Sequence, residues 1–488
     1  MGLRITPRVV ALSALSLTVF YLLYSNFTSI TDGIGCALPG HAHHVHHDEQ
    51  LVVQPNHNSK VQQRRTCSLC DAAPEWCRSF GERNMELVTA YEGSGDRIRR
   101  VLAKAQRGEP INYGIIGGSL SRGHGCHCTT FHKQIFDWWN ETYPHPANEY
   151  VDGSVGARGS NYFKFCYMEH LKDDADLVVL ELSLNDDPIE AHAKNVESIL
   201  RTILAWPRKP AVIMTASFSL MGKLAMGNDV HLPVAQYYDV PVINLRHALL
   251  PILHKRPEAI HDFFAIKSPQ PNYVDLLHLS AFGHYVLAQA TIAFLQRQRC
   301  LVEEGLHRQP AIDERFTNGE TYDLSIPRLS LLSDKWSETG QALVERPSCA
   351  SIDSVDHPLK PLPSSHGWAT WNQPRTTKNY WRATEPGAQI DFDVYLAEGH
   401  VMLYYLRSRK MSLGRVKCWL NDDEAAAVTM DGYWERPESI GQFTPIRENK
   451  GKPLAPGDYK LHCKLLERHY GKEEGRGTTF LVIAVLTV

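Results

Sequence analysis

The stretch "NYGIIGGSLSRGHGCHC", residues 112–128, runs from apolar residues into the paired glycines Gly117 and Gly118, then Ser119, Ser121 and an alternation of His, Gly and Cys. Its opening is short, unalternating and bounded by turn residues, the pattern of a strand buried on both faces. Two glycines allow a tight turn directly after that strand, so Ser119 emerges at the mouth of a sheet. The stretch does not read as a phosphate loop, because the lysine of G-x-x-x-x-G-K-[ST] is absent. Nor is it the G-x-S-x-G elbow, since Ser121 occupies the fifth position.

Three further runs have the same character: Leu177 to Leu182, Ala211 to Thr215 and Val240 to Ile243. Helical periods separate them. "FHKQIFDWW" sets Phe131, Ile135 and Trp138 on one face, and "VESILRTIL" sets Val196, Ile199, Leu200 and Ile203 on another. A last helix is predicted from Ser280 to Arg297. Alternating strands and helices predict an α/β fold with a parallel sheet covered on both sides. Beyond about residue 306 the pattern changes to "AQIDFDVYL", "HVMLYYLRS", "RVKCWLN", "YKLHCKLLE" and "TFLVIAVLTV", which read as strands of a smaller all-β domain. Alternation puts Val416, Cys418 and Leu420 on one inward face and Leu461, Cys463 and Leu465 on another, so the two cysteines form a buried disulfide or stay packed thiols. The expected organisation is residues 1–31, cytoplasmic tip and signal anchor; 32–81, a Cys-containing stem; 82–305, a catalytic domain; and 306–488, the β-rich domain.

With 51 basic and 54 acidic residues the chain carries a formal net charge of -3, so no global field points to nucleic acid. Arg4 and Arg8 precede an uncharged stretch, Val9 to Thr31, long enough for one membrane span. This predicts a single-pass type II protein with a lumenal (Golgi or ER) or extracellular catalytic domain, a cleaved signal peptide and secretion being the alternative. The sequons at Asn26 and Asn140 and eleven cysteines agree with an oxidising compartment. An odd count leaves at least one thiol free or paired with another chain. The histidines of "HAHHVHHDE", residues 41–49, read as low-complexity stem, and Cys67, Cys70 and Cys77 as disulfide cysteines lacking a fourth zinc ligand. Cys126 and Cys128 read the same way, with Cys166 as one example of a partner.

Ligands of parallel α/β sheets bind outside the carboxyl ends of the strands. Ser119 falls there. In "VDGSVGARGSNYF" Gly153, Gly156 and Gly159 can turn backbone N–H groups towards a reacting oxygen, and "VVLELSLNDD" ends a strand with Asn185, whose amide can donate to the same oxygen. "YVDLLHLSAFGH" offers Asp275 and His278, a carboxylate three residues before a histidine on a tight loop, able to reach Nδ1 and aim Nε2 at a serine. Within this set Ser121 as nucleophile and His284 as base stay open as alternatives.

Taken together, the serine in a glycine turn, the glycine loop, the Asn-Asp pair and the D-x-x-H before the last helix resemble the SGNH hydrolases, also called GDSL-type esterases, over about residues 110–298. The resemblance implies a three-layer catalytic domain with Ser119 as nucleophile, His278 as base and Asp275 as its orienter. It also implies an oxyanion hole of the Ser119 N–H, Gly156 and Asn185. Gly118 stands where the family usually has Asp, and Ser183 where it usually has Gly. The function implied is hydrolysis of esters through an acyl-enzyme, with no cofactor and no metal. The substrate expected is an esterified small molecule or an acylated glycan such as wall polysaccharide. An O-acyltransferase with the same triad and an inactive glycan-binding module are the alternatives. The sequence leaves the oligomeric state open. Trp368, Trp371, Trp381, Trp419 and Trp434 serve either a glycan surface or the β core.

Overall fold

In the computed structural model, β2 (Asn112–Gly117) is buried at every residue after Asn112, as a strand sandwiched between helical layers must be. It pairs in parallel with β3 (Glu149–Asp152) and with β4 (Leu177–Glu181), which continues in parallel to β5 (Ala211–Ala216) and β6 (Val242–Asn244). β1 (Thr89–Tyr91) closes the edge antiparallel to β6, a short strand that the sequence reading lacked. The order β1-β6-β5-β4-β2-β3 sends the chain in opposite directions from β2, so a crevice opens beyond the carboxyl ends of β2 and β4. The structure describes residues 66–267, 273–305, 325–342, 347–374, 378–436, 439–446, 453–468 and 477–488, all within one compact unit, Gln63–Val488.

The helices bury the faces their periodicity marks out. Glu190–Leu204 buries Val196, Ile199, Leu200 and Ile203. Phe131–Thr142 buries Phe131, Ile135 and Trp139, so the third position is Trp139 rather than Trp138. The chain keeps the i, i+4, i+8 ridge, and Trp138 packs half-buried beside it. The last helix, Ala281–Glu303, starts at Ser280, whose hydroxyl accepts from the Gly283 N–H, the usual saturation of an orphan donor at a helix start. Before it, β7 (Phe264–Ile266) and β8 (Val274–Leu279) form a two-stranded ribbon. Asp275 and His278 therefore lie in a strand and not on the expected tight loop. Phe264 pairs with Leu279 and Ile266 with Val274, so the long side bulges between them, and this irregularity lets residues three apart share a side.

The C-terminal region is an antiparallel sandwich. Its strands are β9 (Ser348–Ser351), β10 (Trp368–Asn372), β11 (Asn379–Ala383), β12 (Gln389–Leu396), β13 (Val401–Arg407), β14 (Arg415–Leu420), β15 (Val428–Asp431), β16 (Ile440–Pro445), β17 (Gly457–Leu465) and β18 (Phe480–Thr487). One sheet runs β10-β11-β18-β13-β16 with β9 beside β18, the other β12-β17-β14-β15. Cys418 and Cys463 face each other in register and form a disulfide. Trp419 is buried, and Trp368 and Trp381 pack on the sandwich core, so these rings are used in folding. The outer face of the sandwich sheet shares one apolar core with the α/β layers, in which Tyr162, Cys166 and Leu200 meet Tyr380, Tyr404 and Ile483. The Cys166–Cys349 disulfide ties this seam.

Cys166 is therefore not the partner of the loop after Ser119, whose cysteines pair with each other as Cys126–Cys128. The remaining disulfides are Cys67–Cys300 and Cys70–Cys77, and Cys36 lies outside the described residues. So do the His-rich segment, Asn26 and the expected anchor, Val9 to Thr31. Among the described residues no helix is long and apolar enough to cross a membrane. The longest, Ala281–Glu303, carries Arg297, Arg299 and Glu303 and packs against the α/β core. Against the expected single-pass type II localisation, the described residues thus supply no membrane-spanning segment. The five disulfides fit an oxidising, extracellular environment.

Candidate active site

Ser119 sits half-buried just beyond β2, and its Oγ lies 2.8 Å from His278 Nε2. On the other side of the ring, Nδ1 lies 3.0 Å from Asp275 Oδ2. The Leu277 N–H donates to Asp275 Oδ1 at 3.1 Å, and the Lys267 ammonium stands 3.9 Å from Oδ2. Burial alone would raise the Asp275 carboxyl. The hydrogen bond with His278, the charges of His278 and Lys267 and the Leu277 N–H outweigh it and hold the group at about 2, so it stays ionised and accepts from Nδ1 at any ordinary pH. Ser119, from the turn after β2, thus meets His278 and Asp275, from β8.

The alternative residues, Ser121 and His284, have other partners. Ser121 is fully buried, and its Oγ donates to Glu181 Oε2 at 3.2 Å. His284 is buried with Nδ1 accepting from the Phe131 N–H at 3.2 Å.

Three further groups surround the nucleophile turn. The Asn185 amide oxygen lies over Gly118, so close that a Cβ on residue 118 would stand 2.0 Å from it. A side chain at residue 118 would therefore require the Asn185 amide to move. The neighbouring Asp186 accepts from the Ser160 N–H at 2.9 Å and pairs with His231 Nε2 at 3.0 Å, which ties the Asn-Asp turn to the glycine loop. That loop is pinned to β2 by the Gly153 N–H on Ile115 O at 3.0 Å and the Val155 N–H on Gly117 O at 2.9 Å, and Gly156 follows half-buried.

Several contributors escaped the sequence reading. Glu181, at the end of β4, lies beneath the turn and is pushed up to about 7 by burial, with hydrogen bonds from Ser121, Gly118 and Leu184 opposing. An acid inside an otherwise apolar strand was the signal for it. His132 is buried between the Ser121 carbonyl, 2.7 Å from Nε2, and the Tyr150 hydroxyl, 2.8 Å from Nδ1. The His124 ring lies tilted beside that of His278, centroids 4.5 Å apart, and is pushed down by burial and by the His278 charge. Lys378, from the sandwich, covers Gly156, and nothing in its local sequence marks it. Among the described residues two clusters have metal-ligand atoms within 4.8 Å of one another: His124, Asp275 and His278, and Cys126, Cys128 and His284. In the first, Asp275 and His278 are already engaged with each other and with Ser119. In the second, the two sulfurs are joined.

No family model and no curated protein match the sequence. Among solved structures, a two-domain esterase described as active on acetylated mannans has a TM-score of 0.60 at 19% identity, covering 83% of this chain and 98% of its own. A structure of such an esterase co-crystallized with mannopentaose gives 0.60 and 19%, covering 83% and 97%. The psychrotrophic esterase EstA from Pseudoalteromonas sp. matches with a TM-score of 0.29 at 12% identity, over 38% of this chain and 97% of its own. The likeness of fold to the two-domain esterase takes in most of the chain rather than the α/β part alone.

Proposed function

We propose that the chain is a serine-dependent ester hydrolase of the SGNH type, working through an acyl-enzyme on acylated glycans. The observation that carries this reading is the aligned Ser119, His278 and Asp275, with separations of 2.8 and 3.0 Å, at the carboxyl end of a parallel sheet. A fold by itself does not specify an activity; a nucleophile, a base and an orienter within hydrogen-bond reach do define a reaction class.

Ser119 Oγ attacks the ester carbonyl carbon and its proton passes to His278 Nε2. The ionised Asp275 fixes the Nδ1–H tautomer and stabilises the imidazolium. In this reading the oxyanion accepts from the Ser119 N–H, the Gly156 N–H and the Asn185 side-chain amide. As the C–O bond breaks, His278 returns the proton to the leaving alcohol, and water attacks the acyl-enzyme by the same route with His278 again as base. The two-domain esterase of similar fold, described as active on acetylated mannans, supports acetylated glycan as the substrate class.

A serine-directed fluorophosphonate tests the nucleophile, since labelling must map to Ser119 and vanish in Ser119→Ala. Acetylated oligosaccharides incubated with and without an acceptor sugar then separate release of acetate from transfer. Labelling at another residue, or acetate release that persists in Ser119→Ala, refutes the mechanism.

A further inference from the structure

The C-terminal sandwich supplies none of Ser119, His278 and Asp275, yet its edge strand grips the segment that follows Gly156. Ala157 has a φ of 63°, in the left-handed region, where a Cβ crowds the backbone; such a residue stays there only when its surroundings impose it. Here the surroundings are β16. Gly441 pairs with Leu406 of β13, and both of its backbone polar groups bond across the seam to the α/β layer. The Gly441 N–H donates to the Ala157 carbonyl oxygen at 3.1 Å, and the Gly441 carbonyl oxygen accepts from Asn161 Nδ2 at 3.3 Å. Because β16 ends its sheet, these groups have no further strand to pair with. A Cβ on residue 441 would stand 2.3 Å from the Tyr404 hydroxyl oxygen, so the close approach leaves no room for a side chain.

Arg158 adds a second hold. Its side chain, 1% exposed, runs into the seam, with the guanidinium 5.2 and 5.5 Å from the rings of Tyr162 and Tyr404 and Nη2 3.5 Å from Oδ2 of Asp353, just beyond β9. The other face of the same segment abuts the reacting groups. A Cβ on Gly118 would lie 3.1 Å from the Arg158 carbonyl oxygen, and one on Gly159 would lie 3.1 Å from the Asn185 carbonyl oxygen and 2.4 Å from Asp186 Oδ1. Residues 157–161 are thus clamped between the sandwich on one side and the Ser119 and Asn185 turns on the other. Gly156, read above as an oxyanion donor, enters this clamp directly before the left-handed residue, so a change in the Ala157 backbone re-aims its peptide group.

We propose that Asn161 and Asp353, on opposite sides of the seam, are positioning residues through which the sandwich holds Ala157 left-handed and so sets the Gly156 N–H. The C-terminal domain is then a working part of the oxyanion hole rather than a separable binding module. This rests on the esterase reading above.

The test follows hydrolysis of p-nitrophenyl acetate, which carries no sugar for the sandwich to bind, by the full chain with Asn161→Ala or Asp353→Asn. Each variant should lose about 10- to 100-fold in kcat with KM within about twofold of the wild type. Adding Ala157→Gly to Asn161→Ala should bring kcat back to within about threefold of the wild type, because glycine adopts a positive φ without being held there. A merely structural role would not give that recovery. Variants that keep kcat within about twofold, or a loss that follows a lowered melting temperature and is not relieved by Ala157→Gly, overturn the proposal. If Asp353→Asn does not fold, because Arg158 then lacks its counter-charge, the Asn161 variants decide alone. If the wild type turns over neither p-nitrophenyl acetate nor acetylated mannan, the esterase reading fails, and hydrogen exchange over residues 153–161 decides the hold. Exchange about 10-fold faster in Asn161→Ala supports it, and unchanged exchange overturns it.

Discussion

Replacing Gly118 with alanine should disable the site from outside the triad. The added Cβ would stand 2.0 Å from Asn185 Oδ1 and 3.0 Å from its Cγ, with the Arg158 carbonyl oxygen only 3.1 Å away on the backbone side. The backbone oxygen cannot move without moving the glycine loop, so the Asn185 amide must give way, by about 1 Å to regain contact distance. Misplacement on that scale costs about 10²-fold, and complete loss of one oxyanion donor costs about 10²- to 10³-fold in kcat. Overpacking costs about 1–3 kcal/mol of stability, which leaves a folded protein to assay. Steady-state kinetics on an acetyl ester, with thermal melts of the same samples, measure both effects. The discriminating variant is the double substitution Gly118→Ala with Asn185→Ala. If Gly118→Ala acts by displacing Asn185, the double variant is no slower than Asn185→Ala alone. Independent, multiplying losses would refute the reasoning, as would a Gly118→Ala enzyme within twofold of the wild type.

Ser119→Ala or His278→Ala should each reduce turnover by about 10⁴- to 10⁶-fold and the former should abolish fluorophosphonate labelling, with circular dichroism unchanged. Glu181 gives a pH signature: its folded value of about 7 lies above the ordinary 4.5, so the unfolded chain ionises first. Its contribution to stability is full below about 4.5, falls as pH rises, and has dropped by about 3 kcal/mol once pH passes about 7. Denaturation at pH 5 and pH 8 should show that fall in the wild type and not in Glu181→Gln. Replacing Cys166 and Cys349 together by alanine should cost about 2–5 kcal/mol, because their bond spans 183 residues. A melting temperature unmoved by that change would mean the seam holds without it.

Much of the α/β region was legible because its signals are local. Fully buried parallel strands such as Leu177–Glu181 show as unbroken apolar runs, and the helix Glu190–Leu204 shows as a 3.6-residue period. The edge strand β1 escaped, being three half-buried residues. So did β9, β10, β11, β15 and β16, which lie towards the rim of the sandwich and carry little alternation.

Ser119, Gly156, Asn185, Asp275 and His278 could be proposed from sequence because each lies in a short motif whose residue types suit one reaction. Their distances could not, since Ser119 and His278 are 159 residues apart and meet only through the sheet order and the bulged ribbon at β8. The sequence by itself determined the strand and helix alternation, the nucleophile turn and the chemistry of the candidate triad, all of which depend on neighbours within a few residues. Only the tertiary structure decided that Cys166 bonds Cys349, that the Asn185 amide lies over Gly118 and that Lys378 lies beside Gly156. Each of these depends on two distant segments touching, and local pattern holds no record of which segments will meet.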